Sequence, residues 1–175
     1  MFPEITTNRF KLRQFRDGDL ENIFRGLSHP EVIRYYGVSY ATLESAKSQL
    51  TFFNDLELKE TGKWWAITSH DDKIFYGAAG LNNRIKEHRK AEIGFWLLQE
   101  HWGKGIIKEV VPIICDYGFK QMDLHRIEAI VESENQNSKT VLGILKFTHE
   151  GTMREGEIKN GKFISLDIYA MLNKG

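Results

Sequence analysis

The sequence is poor in cysteine, with Cys115 as the only thiol in 175 residues. A single thiol excludes an internal disulfide, and without a partner thiol it does not make a zinc site. The six histidines show no metal-ligand spacing either, so no metal is expected. No apolar run approaches the roughly 20 residues needed to span a bilayer, and the N-terminus lacks the apolar core of a signal peptide. These absences predict a cytoplasmic protein that does not associate with membranes.

An excess of charge of one sign is also missing. Lys plus Arg and Asp plus Glu both total 24, which gives a formal net charge of zero. Because nucleic-acid-binding domains usually carry a basic excess, nucleic acid is not an expected partner. A hydrophobic content of 41% is enough for one well-buried core, and no repeat or linker divides the chain. Residues 1–175 are therefore predicted to form a single domain.

Hydrophobic periodicity predicts an α/β fold in which helices and strands share one mixed sheet. Either Asp17 or Asp19 is expected to cap the first helix, and Pro112 is expected to kink the helix over 103–121. A strand, helix and strand in succession predict one parallel crossover in an otherwise antiparallel sheet. The predicted strands are 9–14, 63–69, 74–83, 89–98, 125–132, 147–157 and 163–172, and the later helices are 42–58, 103–121 and 137–146.

The sequence HWGKGIIKE contains a glycine-punctuated turn that leads into a helix. Gly103 and Gly105 allow the backbone to turn tightly and to approach a ligand with bare N–H groups, and the start of the helix adds positive charge. A diphosphate would suit such a site. The same pattern is also compatible with an ordinary helix start. Further along, Asn135 and Ser138 are either helix caps or hydrogen-bonding groups that face a ligand.

Four stretches, in order, resemble the GCN5-related N-acetyltransferases (GNAT), and more closely their RimJ/RimL-type ribosomal-protein subgroup. They are LRQFRDGDLENIF with HPEVIRYYG, AEIGFWLLQEHWGKGIIKE, LHRIEAIVESENQNS, and EGTMREGEIKNGKF with DIYAML. The resemblance covers nearly the whole chain. It implies a mostly antiparallel sheet that is splayed open between two adjacent parallel strands, with helices on both faces and acetyl-coenzyme A in the opening.

The resemblance also implies the residues that hold the coenzyme. The diphosphate is expected on the backbone of the glycine turn, although Ile107 stands where the family has a small residue. The amide-rich pantetheine arm is expected to pair with the free strand backbone before that turn. Asn135 is expected to bond the arm, and the Ser138 hydroxyl either protonates the departing thiolate or only stabilises its charge. The implied contacts are Phe95, Trp96, Leu97, Leu98, Trp102, Gly103, Lys104, Gly105, Ile106, Ile107, Asn135 and Ser138.

Acetyl transfer to an amine requires a neutral nitrogen, so a base must accept its proton. The resemblance places this base at Glu157. Glu155 is two positions away on the same predicted strand and shares its face, so it is not excluded, and a water relay is a third route. Tyr169 is an alternative acid. Cys115 lies among apolar helix residues and is expected to be inert.

The expected function is acetyl-coenzyme A-dependent N-acetylation by direct transfer in a ternary complex. The favoured acceptor is a protein N-terminal α-amine, such as that of a ribosomal protein. A polyamine or antibiotic acceptor, or a catalytically silent acyl-coenzyme A sensor, is the alternative, and Ser165 departs from an aspartate of the subgroup. A homodimer that builds part of the groove is a further expectation. A cationic acceptor would be attracted by Glu132, Glu134, Glu150, Glu155 and Glu157.

Overall fold

The computed structural model describes residues 1–175, whose eight strands form one sheet. The strands are β1 (Ile5–Thr6), β2 (Lys11–Arg13), β3 (Lys63–Thr68), β4 (Phe75–Ile85), β5 (Lys90–Leu97), β6 (Arg126–Glu132), β7 (Thr148–Lys159) and β8 (Lys162–Leu172). The α-helices are α1 (Leu20–Leu27), α2 (Pro30–Ile33), α3 (Leu43–Leu58), α4 (Ile106–Gln121) and α5 (Gln136–Ile144). Short 3₁₀ turns at Asp17–Asp19 and Gln99–His101 precede α1 and α4.

The strand order is β1-β2-β3-β4-β5-β6-β8-β7, and only β5 and β6 run parallel. This pair is joined by α4, the crossover helix that a parallel connection requires. The pairing of β5 with β6 ends at Glu92 opposite Glu128, although β5 continues to Leu97 and β6 to Glu132. The two strands therefore separate over the second half of their length. This confirms the predicted mixed sheet and its splay.

Helices cover both faces of the sheet, as expected, because its central strands are buried on both sides. On β5, Ala91, Ile93 and Leu97 belong to the larger core, which also contains the buried residues of α4. The alternate residue Trp96 belongs to a second core with α1 and α3. This period of two is the signal that identified the strand. Trp96 thus lies under α1, where its ring blocks any side chain larger than Gly26.

Two helix starts differ in detail from the expectation. Asp19 is the N-cap residue of α1, one of the two predicted, but its side chain makes no capping bond to that helix. Its buried carboxylate instead accepts two hydrogen bonds from the Arg13 guanidinium, each 2.8 Å long. The fourth helix begins at Ile106, not at Gly103, so the glycine turn precedes it. Pro112 lies inside α4, and the kink expected there remains a prediction. Thr42, in contrast, caps α3 by accepting from the Ser45 N–H at 3.1 Å.

The β7–β8 hairpin is irregular where the candidate base lies. Met153 pairs with Leu166 and Glu157 pairs with Ile164, so the three residues of β7 between these pairs face a single residue of β8, Ser165. Glu155 lies inside this bulge at φ 51°, in the left-handed region. The strict alternation that would place Glu155 and Glu157 on one face is therefore interrupted, and the choice between the two carboxylates remains a prediction.

Candidate active site

A cleft of about 640 Å³ opens where β5 and β6 separate. The glycine turn and the start of α4 form one wall, and the beginning of α5 forms the other. Residues of α2 and the loop after it, including Val32 and Tyr36, close the end on the opposite face of the sheet. The predicted coenzyme contacts that line the cleft are Phe95, Trp96, Leu97, Trp102, Gly103, Lys104, Gly105, Ile106, Ile107, Asn135 and Ser138. Leu98 and Glu157 are not part of the lining.

The glycine turn, residues 102–107, has the backbone that an anion cradle needs. Gly103 and Gly105 lie at φ 72° and 73°, a region that side-chain-bearing residues rarely adopt. Gly105 is the N-cap of α4 and supplies no capping side chain, so the first N–H groups of the helix have no partner from this residue. The sites of both glycines are also uncrowded, and the donors fit an oxygen-rich anion such as a diphosphate. Ile107 is 9% exposed and packs in the larger core.

Arg9 clamps the glycine turn, a role that the sequence did not reveal. Its guanidinium donates to the Lys104 carbonyl at 2.9 Å and to the Glu109 carboxylate at 2.6 Å. The Arg9 N–H and the Thr7 hydroxyl donate to the same carboxylate at 2.8 and 2.7 Å. These bonds connect the segment before β2 to the first turn of α4. The burial of Glu109 is outweighed by these donors, which lower the pKa of its carboxyl.

The β5 edge that borders the cleft offers fewer free groups than expected. The Leu98 N–H donates to the Tyr76 carbonyl at 2.9 Å, and in an antiparallel ladder Trp96 therefore also turns its backbone groups toward β4. Phe95 and Leu97 turn theirs toward the cleft. The Leu97 carbonyl already accepts from the Trp102 indole at 3.0 Å. Backbone pairing with a pantetheine arm is thus restricted to Phe95 and to the Leu97 N–H.

The α5 wall, residues 133–139, brings Asn135 and Ser138 together. The Asn135 side-chain oxygen accepts from the Ser138 N–H at 3.1 Å, which fixes the orientation of the amide. The amide nitrogen then donates to the Ser138 hydroxyl oxygen at 3.0 Å. Asn135 is thus the N-cap of α5, and the Ser138 hydroxyl keeps its own hydrogen free to donate. A second Asn135 amide hydrogen also remains free for a ligand.

The opposite face of the sheet carries glutamates, most of which are already paired. Glu132 accepts from Lys159 at 2.7 Å, and Glu128 accepts from Arg126 at 2.8 Å. Glu157, in contrast, lies exposed on β7 and makes no side-chain hydrogen bond or ion pair. Of the five glutamates named in the sequence, Glu132 and Glu150 are thus paired with the protein's own cations, whereas Glu134, Glu155 and Glu157 have no ion pair.

Glu92 is another carboxylate without an ion pair, and sequence reasoning missed it. It occupies the last position at which β5 and β6 pair, where the splay begins. Burial raises the pKa of Glu92, and the negative charges of Glu128 and Glu157 contribute in the same direction. A carboxyl with a raised pKa near a cleft is a candidate proton acceptor. The available signal was a charged residue within the apolar strand AEIGFWLL.

Cys115 and Tyr169, the other residues considered in the sequence, are both buried. Cys115 is 2% exposed, and burial raises the pKa of its thiol to about 12, so it is a structural residue. Tyr169 is 8% exposed within the larger core. No group of three His, Cys, Asp or Glu residues is arranged to hold a metal ion. None of the helices combines the length and apolar composition needed to cross a membrane.

Comparison with known proteins places this cleft in a family. Residues 9–148 match the acetyltransferase (GNAT) domain. The Bacillus subtilis (strain 168) protein named Uncharacterized N-acetyltransferase YoaA is 36% identical over 173 residues, which cover 98% of each chain.

Two solved structures show the same fold. RimL, a ribosomal alpha-N-protein acetyltransferase in complex with coenzyme A, matches with a TM-score of 0.86 and 20% identity, over 97% of this chain and 98% of that chain. A spermidine N-acetyltransferase from Vibrio cholerae, in complex with coenzyme A and spermine, matches with a TM-score of 0.82 and 22% identity, over 93% and 95% of the chains. Acetyltransferases of this family use acetyl-coenzyme A as donor. With a family match over most of the sequence and the splayed sheet of that fold, the chain belongs to the GNAT acetyltransferases and is an N-acetyltransferase.

Proposed function

We propose that this N-acetyltransferase acts on a protein N-terminal α-amine, with a ribosomal protein as the favoured substrate class. The observation that carries the proposal is the composition of the sheet face that bears Glu128. By register, the exposed apolar residues Ile130 and Met153 share that face with Glu157. A single ammonium group next to apolar surface is the chemistry of a peptide N-terminus.

We expect this face to bind a polyamine less well than a peptide N-terminus. Several separated cations need several free carboxylates, and here Glu128 and Glu132 are already paired within the protein. On this face Glu92 and Glu157 have no ion pair, which is enough for one ammonium group. Glu134 and Glu155 are also unpaired, but they lie in the turn before α5 and in the β7 bulge. The RimL structure supports the same class of acceptor, since RimL is named as an acetyltransferase of a ribosomal α-amine. The spermidine acetyltransferase with the same fold keeps a polyamine as the second candidate.

The proposed reaction includes proton transfers at two residues, Glu157 and Ser138. Glu157 accepts a proton from the arriving ammonium group, which frees the nitrogen lone pair. The amine nitrogen then bonds to the thioester carbonyl carbon, the carbon–sulfur bond breaks, and the amide forms as the nitrogen loses its second proton. Ser138 donates its hydroxyl hydrogen to the departing sulfur, which leaves as a thiol, and the second amine proton replaces the hydrogen on Ser138. Gly103, Gly105 and the Phe95 backbone hold the coenzyme in place meanwhile.

The test is release of free thiol from acetyl-coenzyme A in the presence of defined acceptors. The panel contains peptides with a free N-terminus and an apolar second residue, the same peptides with a blocked N-terminus, spermidine and an aminoglycoside. We expect turnover only with the unblocked peptides, and mass spectrometry should locate the acetyl group on the α-nitrogen. Turnover with spermidine alone would replace the proposal by the polyamine alternative. Coenzyme binding without turnover on any amine would favour the sensor alternative.

The cytoplasmic location and the homodimer expected from the sequence remain predictions. The location can be tested by fractionation of the producing cells, and the oligomeric state by sedimentation of the purified protein. The dimer has a direct consequence for the acceptor groove, because a partner subunit near the exposed hairpin would add residues to it. Sedimentation of the protein with and without coenzyme A measures this point independently of activity.

A further inference from the structure

Asp167 is a buried carboxylate in β8 that contacts both sides of the proposed reaction centre. The residue is 3% exposed, yet its side chain accepts from three donors. The Lys139 ammonium lies 2.9 Å from one carboxylate oxygen, and the Ser133 hydroxyl donates to the other at 3.1 Å. The Thr152 hydroxyl donates to that second oxygen as well, and the His149 ring lies 3.6 Å from it. A buried charge with this many partners resists displacement, because each partner would lose a charge-assisted bond.

Each donor comes from a segment that carries a candidate catalytic group. Ser133 and Lys139 bracket Ser138, and the Lys139 ammonium also donates to the Ser133 carbonyl at 3.1 Å. The Ser133 N–H adds a bond to the Ser165 carbonyl at 2.9 Å. Thr152 lies on β7, the strand that continues to Glu157. One carboxylate thus ties the start of α5 and the strand of Glu157 to β8.

We infer that Asp167 is a positioning residue that fixes the α5 wall, and with it the Ser138 hydroxyl, relative to the hairpin that carries Glu157. The inference rests on the proposed roles of Ser138 and Glu157. Asp167 lies outside the lining of the cleft and acts through its donors. A displacement of Ser138 by about 1 Å is enough to lower the rate by a large factor. The hydroxyl stabilises the negative charge that develops on sulfur only when it lies at hydrogen-bond distance.

The experiment compares Asp167→Asn with Asp19→Asn as a matched control. Asp19 is 4% exposed, also pairs with a cation, and lies away from the cleft. We expect both variants to lower the melting temperature. Only Asp167→Asn should lower kcat, by about tenfold, with a smaller change in the dissociation constant of coenzyme A. In the Ser138→Ala background the same substitution should lose most of its effect on kcat, since it acts through that hydroxyl.

Amide hydrogen exchange separates this inference from the choice of acceptor. The Ser138 and Lys139 N–H groups, which donate to the Asn135 side chain and carbonyl, should exchange faster in Asp167→Asn and not in Asp19→Asn. A wild-type protein that ignores peptides but acetylates another amine would refute the proposed acceptor and leave this comparison intact. Unchanged exchange, unchanged kcat, or a full multiplicative effect in the Ser138→Ala background would each overturn the inference.

A second variant covers the case in which Asp167→Asn does not fold. Lys139→Gln removes one donor of the carboxylate and leaves Ser133 and Thr152 in place. The Lys139 side chain is 25% exposed, in contrast to the buried Asp167, so the glutamine amide at this position keeps access to water. We expect a loss in kcat of about threefold with the same faster exchange at Ser138. Wild-type values for both quantities would count against the positioning role.

Discussion

The glycine turn and the α5 wall face each other across one cleft, but they are built from different parts of the chain. The glycine turn presents backbone N–H groups, and its geometry depends on two residues at positive φ. The α5 wall presents side chains, and its geometry depends on the bonds between Asn135 and Ser138 and on the buried Asp167. The first wall suits a diphosphate and the second suits a proton donor.

This difference shows which substitutions each wall tolerates. A backbone site is indifferent to most side chains as long as the chain can adopt its φ values, so Ile107 in place of a small residue is accommodated by packing into the core. A side-chain site depends on particular atoms at hydrogen-bond distance. Coenzyme binding should therefore respond mainly to changes in the glycine turn, and the rate of transfer mainly to changes in the α5 wall and the hairpin.

The largest expected effect distinguishes Glu157 from Glu92, the two carboxylates without an ion pair on the sheet face that bears Glu128. We expect Glu157→Gln to lower kcat about 100-fold or more, because a general base of this kind contributes about 10²–10⁴ in rate. Coenzyme affinity should remain that of the wild type, since Glu157 lies outside the cleft lining. Glu92→Gln is the matched variant, and its effect on kcat should be about tenfold or less. A larger loss in Glu92→Gln than in Glu157→Gln would transfer the role of base to Glu92.

The next largest effect concerns the glycine turn. Gly105→Val places a β-branched residue at φ 73°, so we expect the turn to distort and the dissociation constant of coenzyme A to rise about tenfold or more. Gly161→Val is the control, because Gly161 lies at φ 75° in the hairpin turn and does not line the cleft. Binding of coenzyme A measured by titration calorimetry should distinguish them. Equal losses of affinity would mean that the strain acts through overall stability.

A smaller effect tests the clamp on the glycine turn. Glu109→Gln removes the charge that holds Arg9 and Thr7, and we expect coenzyme affinity to fall by about threefold to tenfold. Asp116→Asn is the control, since Asp116 pairs with Lys120 at 2.8 Å near the other end of α4. The same titration with coenzyme A provides the measurement. Affinity that is unchanged in Glu109→Gln would show that the turn holds its shape without Arg9.

The sequence predicted the parts of the molecule that depend on local pattern. The period of two along β5 and the crossover through α4 identified the mixed sheet and its one parallel pair. Glycines indicate a turn by their identity, so the turn at residues 102–107 was identifiable from the sequence alone. The predicted start of α4 at Gly103 was wrong, because the glycine turn precedes the helix and is not part of it. Asp19 takes the predicted N-cap position of α1, but its carboxylate pairs with Arg13 of β2 and makes no capping bond.

Hydrogen bonds between residues far apart in the sequence could not be predicted from local sequence patterns. Arg9 and Glu109 are 100 residues apart, and nothing in TTNRF distinguishes that arginine from a surface residue. Asp167 is an aspartate in an otherwise apolar terminal strand, which is a signal of a buried role but does not name its partners. The bulge at Glu155 was likewise hidden, because an extra residue in a strand has no fixed sequence signature.

The smallest effect concerns the stability of the α5 wall at acid pH. Burial alone would raise the pKa of Asp167, but the donors around the carboxylate outweigh that cost and lower the pKa from 3.8 to about 2. Because the unfolded chain binds this proton more readily, the stabilisation is complete above pH 3.8 and is lost as pH falls toward 2. The difference in urea midpoint between wild type and Asp167→Asn should therefore be full near pH 6 and smaller at pH 3. Glu134→Gln, which changes an acidic residue in the turn before α5 that is outside this network, should show no such trend. A pH-independent difference for Asp167→Asn would mean that packing, not charge, anchors the α5 wall.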